Sequence, residues 1–183
     1  MLISKYGKGS EKLVKKFEEK FNVKFESEYR EFLIKYNGGE TPDTTFIKGK
    51  RKETVRYLFG IKTSESIERQ LEYNDFREKG WIPIGEDVWG NYFAIGFLEE
   101  DFGQIYFCDH ERGFRKTKIA GSFKDFISKC ESKLVDVARL HPKECEKRMI
   151  ENGLADHIDK ILRKHWKEQY KHYKKMVQEE VVL

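Results

Sequence analysis

Two nearly continuous apolar runs, residues 91–97 and 104–108, stand on either side of an acidic, Gly-containing loop. Runs this short and this apolar read as strands buried in the middle of a sheet, and the brief link makes them an antiparallel hairpin. Whatever else the chain does, it must build a sheet around that hairpin.

The flanking segments supply the rest of an α+β domain. Ser10 can cap a helix over 11–21, where Leu13, Val14, Phe17 and Phe21 recur at helical spacing. Ser27 opens a second helix with an apolar stripe of Tyr29, Phe32, Leu33 and Tyr36, and Asn37-Gly38-Gly39 suits its left-handed end. Two helices are thus expected before any strand. Residues 45–47 and 55–59 read as strands around a basic Lys-Gly-Lys-Arg-Lys turn region. A third helix fits 66–76, with Ile67, Gln70, Leu71 and Asn74 on one side. The extended segment 81–85 contains Pro83, which suits an edge or a non-ladder position. Residues 114–120 form a weaker strand, and Ser122 caps a short helix that turns Phe123, Phe126, Ile127 and Cys130 inward. Strands clustered between helices argue a mainly antiparallel sheet packed with flanking helices over residues 1–130.

Residues 131–183 read differently, as a helical C-terminal extension with Pro142 at a helix start and Asn152-Gly153 at a stop. Its last helix is expected over 154–180. Trp166, Tyr170 and Tyr173 fall on its apolar half and seven Lys and Arg side chains gather opposite. The apolar half is expected to bury against the core or against a second copy of the chain, which makes a homodimer through this helix a candidate. Across the whole chain 36 basic residues face 32 acidic ones, a net charge of +4, so nucleic acid is not an expected partner. The three cysteines form no Cys-x-x-Cys pair, and no apolar leader or membrane-spanning run is apparent, which fits a reducing cytoplasm and no membrane.

Catalytic signatures are weak. Asp109-His110-Glu111 at a strand end, with Asp87 as a fourth group, could make a metal-dependent hydrolase, but a polar turn explains the same residues. His165 and His172 lie about 10 Å apart along one helix and cannot share one ion. No phosphate loop or nucleophile elbow occurs. We therefore expect no enzyme activity, no cofactor and no metal.

Three ordered stretches go further: 25–39, ending in Asn37-Gly38-Gly39; 81–92, with Ile82-Pro83-Ile84-Gly85 and Gly90-Asn91; and 103–111, ending in Asp109-His110-Glu111. With the closing Ser122-Phe123-x-x-Phe126 helix, this set resembles the SUKH superfamily in its Smi/Knr branch, over about 10–130. Ser27 stands where such proteins often have Pro, and the helical tail lies outside the usual core. The resemblance implies a SUKH-like bent sheet and a non-catalytic immunity protein that occludes the active site of a cognate polymorphic toxin domain, such as a nuclease or deaminase. The other reading is a nucleic-acid-binding or regulatory scaffold protein that uses the basic C-terminal helix. For the toxin-binding surface we expect the loop carrying Asp87, Trp89 and Asn91, the Glu99, Glu100 and Asp101 loop, and the turn of Asp109, His110 and Glu111. Together they would set an acidic rim around an aromatic anchor.

Overall fold

The computed structural model describes residues 1–73 and 75–183. The described residues form an α+β chain whose antiparallel sheet has nine strands, in the order β7 (Arg115–Ala120), β6 (Ile105–Asp109), β5 (Tyr92–Gly96), β4 (Trp81–Glu86), β3 (Arg51–Leu58), β2 (Gly39–Lys48), β1 (Leu2–Lys5) and β9 (Glu179–Glu180), with β8 (Cys130–Ser132) pairing with β2. It divides into two compact units, Met1–Lys133 with Gln178–Leu183, and Leu134–Val177.

In the first unit, β1 (Leu2–Lys5) precedes the two helices, contrary to the expectation that helices come first. Its four residues show no alternation of their own, and its place is set by pairing with β2 and β9, which no local pattern announces. Ser10 caps α1 (Glu11–Phe21) by accepting from the Leu13 N–H. In α2 (Ser27–Lys35) the capping side chain is Glu26, whose carboxylate accepts from Glu28 and Tyr29. The helix ends through Asn37 (φ 50°) and Gly38 (φ 76°). A Cβ on Gly38 would stand 2.5 Å from the Gly60 nitrogen, so both backbone shape and space require glycine.

The chain then enters β2 (Gly39–Lys48), which turns at Lys48 into β3 (Arg51–Leu58). A register slip between Glu40 and Thr44 lets β2 pair with β1 at its start and with β8 (Cys130–Ser132) further on. After α3 (Ile67–Tyr73), β4 (Trp81–Glu86) and β5 (Tyr92–Gly96) lead to β6 (Ile105–Asp109) and β7 (Arg115–Ala120). Asn74, placed by periodicity on the apolar side of the third helix, lies outside the described residues. Pro83 is tolerated within an interior strand because β3 pairs only with Gly85 and Glu86, and the β4–β5 ladder slips beside it.

The β5–β6 hairpin is interior, and its residues are buried on both faces. Phe93, Ile95, Ile105 and Phe107 join the main core, where Phe126 of α4 (Phe123–Ser128) packs with Phe46, Phe93 and Phe123. Ala94, Tyr106 and Cys108 face the other way, into a smaller cluster with Phe76 and Trp81. Covering both faces removes the polar alternation an exposed sheet would show, hence the unbroken apolar runs. Burial pushes the Cys108 and Cys130 thiols up to about 12. Iodoacetamide at pH 8 should therefore leave both unlabelled in the folded protein and label them in urea, as read by peptide mass spectrometry. Rapid labelling of native Cys108 would show that the smaller cluster opens.

In the second unit, α5 (Pro142–Glu151) starts at Pro142 and stops at Asn152, followed by Gly153 (φ 73°). The single long helix expected over 154–180 is shorter: Asp159 caps α6 (Lys160–Tyr173), and a 3₁₀ turn covers Ala155–His157. The chain ends instead in β9 (Glu179–Glu180), which belongs to the first unit. Within the helical unit Trp166 is buried beside Cys145, Met149 and Leu162, while Tyr170 and Tyr173 are half-buried. No described helix is long and apolar enough to cross a membrane.

Candidate partner-binding surface

The β4–β5 connection is organised from inside by Asp87, which is fully buried. Its Oδ1 accepts from the backbone N–H groups of Trp89 and Asn91, each at 2.8 Å, and its Oδ2 accepts from Asn91 Nδ2 at 2.7 Å. The turn closes with the Asp87 N–H donating to the Asn91 carbonyl at 3.0 Å. Gly90 takes φ 87° at its tip, a shape glycine supplies without strain. Val88 and Trp89 are pushed outward, and Trp89 is 74% exposed. Beside the turn, burial lifts the Glu86 carboxyl above the usual carboxylate range, against the pull of the Arg56 guanidinium.

Asn91 also ties this turn to the end of β6. Its Oδ1 accepts the His110 backbone N–H at 3.0 Å and meets His110 Nδ1 at 2.8 Å. Because Asn91 Nδ2 is committed to the Asp87 carboxylate, the facing His110 Nδ1 must carry hydrogen. In the neutral ring Nε2 is then the acceptor. Asp109 caps the following 3₁₀ turn by accepting from the Glu111 N–H, and its second oxygen lies 3.4 Å from Arg112 Nε.

An open cleft of about 380 Å³ lies between these elements. Trp89, Asn91, Asp109, His110 and Glu111 line one part and Arg51, Glu53 and Phe107 the other. Arg51 donates to Glu53 at 2.8 Å and its guanidinium sits 4.6 Å from the Phe107 ring centre. Glu53 is thus matched by Arg51 and Asp109 by Arg112, which leaves Glu111 as the lining acid with no ion-pair partner among the described residues.

The structure brings together five of the nine residues expected at this surface: Trp89, Asn91, Asp109, His110 and Glu111. Asp87 adjoins them but, with no exposed area and both oxygens occupied inside the turn, it cannot form part of an acidic rim or serve a metal-dependent hydrolase. Glu99, Glu100 and Asp101 lie in the β5–β6 connection, at the opposite end of strands that run about 13 Å. Asp101 is moreover buried and held by Lys116 Nζ at 3.0 Å. An antiparallel hairpin puts its own loop and its flanking turns at opposite ends, so one surface could not hold all three segments. Among the described residues no three His, Cys, Asp or Glu side chains come together as a metal-binding group.

Arg51 and Glu53 were missed. The basic turn between β2 and β3 is plain in the sequence, but its approach to Phe107 depends on how the sheet bends. One signal was available: no Lys or Arg occurs between Gly80 and Glu111, a stretch that includes every expected site residue.

The fold and this surface define an α+β protein whose best-built feature is an exposed aromatic, on a turn closed by buried hydrogen bonds, beside a polar cleft at one end of the sheet. Residues 8–129, about two thirds of the chain, match the SMI1 / KNR4 family (SUKH-1), and the chain belongs to that family. No curated protein matches the chain. The cleft lies wholly inside the matched span, and the helical unit lies outside it.

Proposed function

We propose that the protein is a cytoplasmic immunity protein that binds a cognate toxin domain and blocks its active site without catalysis of its own. Membership of the SMI1 / KNR4 family (SUKH-1) supports this reading. The observation that carries the surface is Trp89, a large aromatic held 74% exposed by a turn whose buried carboxylate has three hydrogen bonds. An exposed tryptophan on a hydrogen-bonded turn, beside the unpaired Glu111, suits a partner that offers an apolar socket within a basic surround, as the substrate cleft of a nuclease does. Three free cysteines agree with a reducing compartment.

The test is titration of the purified protein against the toxin encoded beside it. Stoichiometric inhibition is expected, with Trp89→Ala weakening it by about 2 kcal/mol, roughly 30-fold. Absence of inhibition ends the immunity reading. Inhibition that survives Trp89→Ala combined with Glu111→Lys moves the contact surface elsewhere.

A further inference from the structure

The balanced charge of the whole chain conceals a partition that follows the two units. Residues 134–177 hold eleven Lys and Arg against seven Asp and Glu. That leaves 25 of the 36 basic and 25 of the 32 acidic residues in the first unit, which is neutral. The net charge of +4 thus resides entirely in the helical unit, outside the span that matches the family.

Within that unit the excess lies along one line of α6. Lys160, Lys164, Lys167 and Lys171 follow at steps of four, three and four residues, and Lys175 continues the line just past the helix. All five are exposed. Such spacing aligns them on one face over about 16 Å of helix from Lys160 to Lys171. Lys164 lies 3.7 Å from Glu168, whereas Lys160, Lys167, Lys171 and Lys175 have no carboxylate partner among the described residues. The opposite face is occupied within the unit: Trp166 is buried beside Cys145 and Met149, and the Tyr170 ring meets His141 at 5.0 Å.

We infer that this lysine row is a nucleic-acid backbone-binding face, separate from the cleft and independent of the immunity reading. A regular line of ammonium groups, four of the five without a carboxylate partner among the described residues, matches a regular line of phosphates, whose neutralisation releases counterions. A membrane-surface helix would need a broad apolar face free beside the charged one, and here Trp166 and Leu162 pack beside Cys145 and Met149 of α5, which leaves Ile161 as the exposed apolar side chain of α6. A protein partner would call for an aromatic anchor among the charges, and Trp166 is buried while Tyr170 is engaged. Without a free ring for stacking, the face reads phosphates and not base sequence.

The test uses the full chain and a fluorescein-labelled 20-base-pair duplex of arbitrary sequence, followed by anisotropy. Binding is expected at 50 mM salt and should weaken roughly 100-fold by 200 mM, as about four phosphate contacts require. Replacing Lys160, Lys167, Lys171 and Lys175 together by Gln should lower affinity at least tenfold with helical circular dichroism unchanged. Replacing Lys12, Lys15, Lys16 and Lys24 of the neutral unit by Gln should leave affinity unchanged. Absence of binding at 50 mM salt overturns the inference, as does an equal loss in both variants. Binding to anionic phospholipid vesicles with none to the duplex overturns it in favour of a membrane surface.

Discussion

Replacing Asp87 by Ala should lower the unfolding free energy by about 3–5 kcal/mol, read as a fall in the urea midpoint at unchanged slope. Three donors lose their acceptor at once: the backbone N–H groups of Trp89 and Asn91, and Asn91 Nδ2. The Asp87 side chain is fully buried, so water does not replace it without opening the turn. Asp87→Asn should cost less, because an amide oxygen still serves the two backbone donors. Its NH₂ would face the Asn91 NH₂, though, and some loss is expected. The effect should reach the cleft, since Asn91 is what holds His110. A midpoint within experimental error of the parent would mean that the turn is organised by something other than this carboxylate.

Deleting residues 178–183 should destabilise the first unit by a comparable amount, about 3–5 kcal/mol. Those residues form a strand and a plug for the sheet edge. β9 pairs with β1 through Leu2 opposite Glu180 and Ile3 opposite Glu179, and the Val181 N–H donates to the Met1 carbonyl at 2.9 Å. Val181 is buried in the main core, and burying one such side chain contributes about 2 kcal/mol. The Val182 N–H donates to Tyr36 Oη at 3.0 Å, and that hydroxyl donates to the Glu180 carbonyl at 3.3 Å. Removing the segment would bare Ile3 and leave β1 as an edge. By contrast Glu179→Gln, which breaks only the exposed ion pair with Lys5, should change stability by less than about 1 kcal/mol. Equal stability of the truncated and full chains would show that the tail lies on the core without supporting it.

The elements that were legible in advance are those whose signal is local. Ser10 and Ser122 cap α1 and α4, Pro142 and Gly153 bracket α5, and the β5–β6 hairpin is interior. Each depends on neighbours within a few residues, through a hydroxyl reaching an N–H, a restricted φ or an unbroken apolar run. The strands β1, β8 and β9 were not legible. They have two to four residues each, too few for alternation to show, and exist because partners distant in the chain complete their hydrogen bonds. At the candidate surface, the turn chemistry of Asp87-x-x-Gly90-Asn91 was visible, but the direction of each side chain was not. Asp87 and Asp101, equal to Glu111 as acids in a sequence, are buried acceptors, while Glu111 is exposed.

By itself the amino-acid sequence determined the α+β class, the central hairpin, the family resemblance and the basic face of the last helix. All of these follow from residue spacing along the chain. Only the tertiary structure decided which acids reach the surface, that Arg51 and Glu53 join the cleft, and that the final residues return to close the sheet. It also showed that the net positive charge belongs to one unit. Those outcomes depend on which distant segments are brought side by side, and on where a sheet end, a bend or a neighbouring ring excludes water.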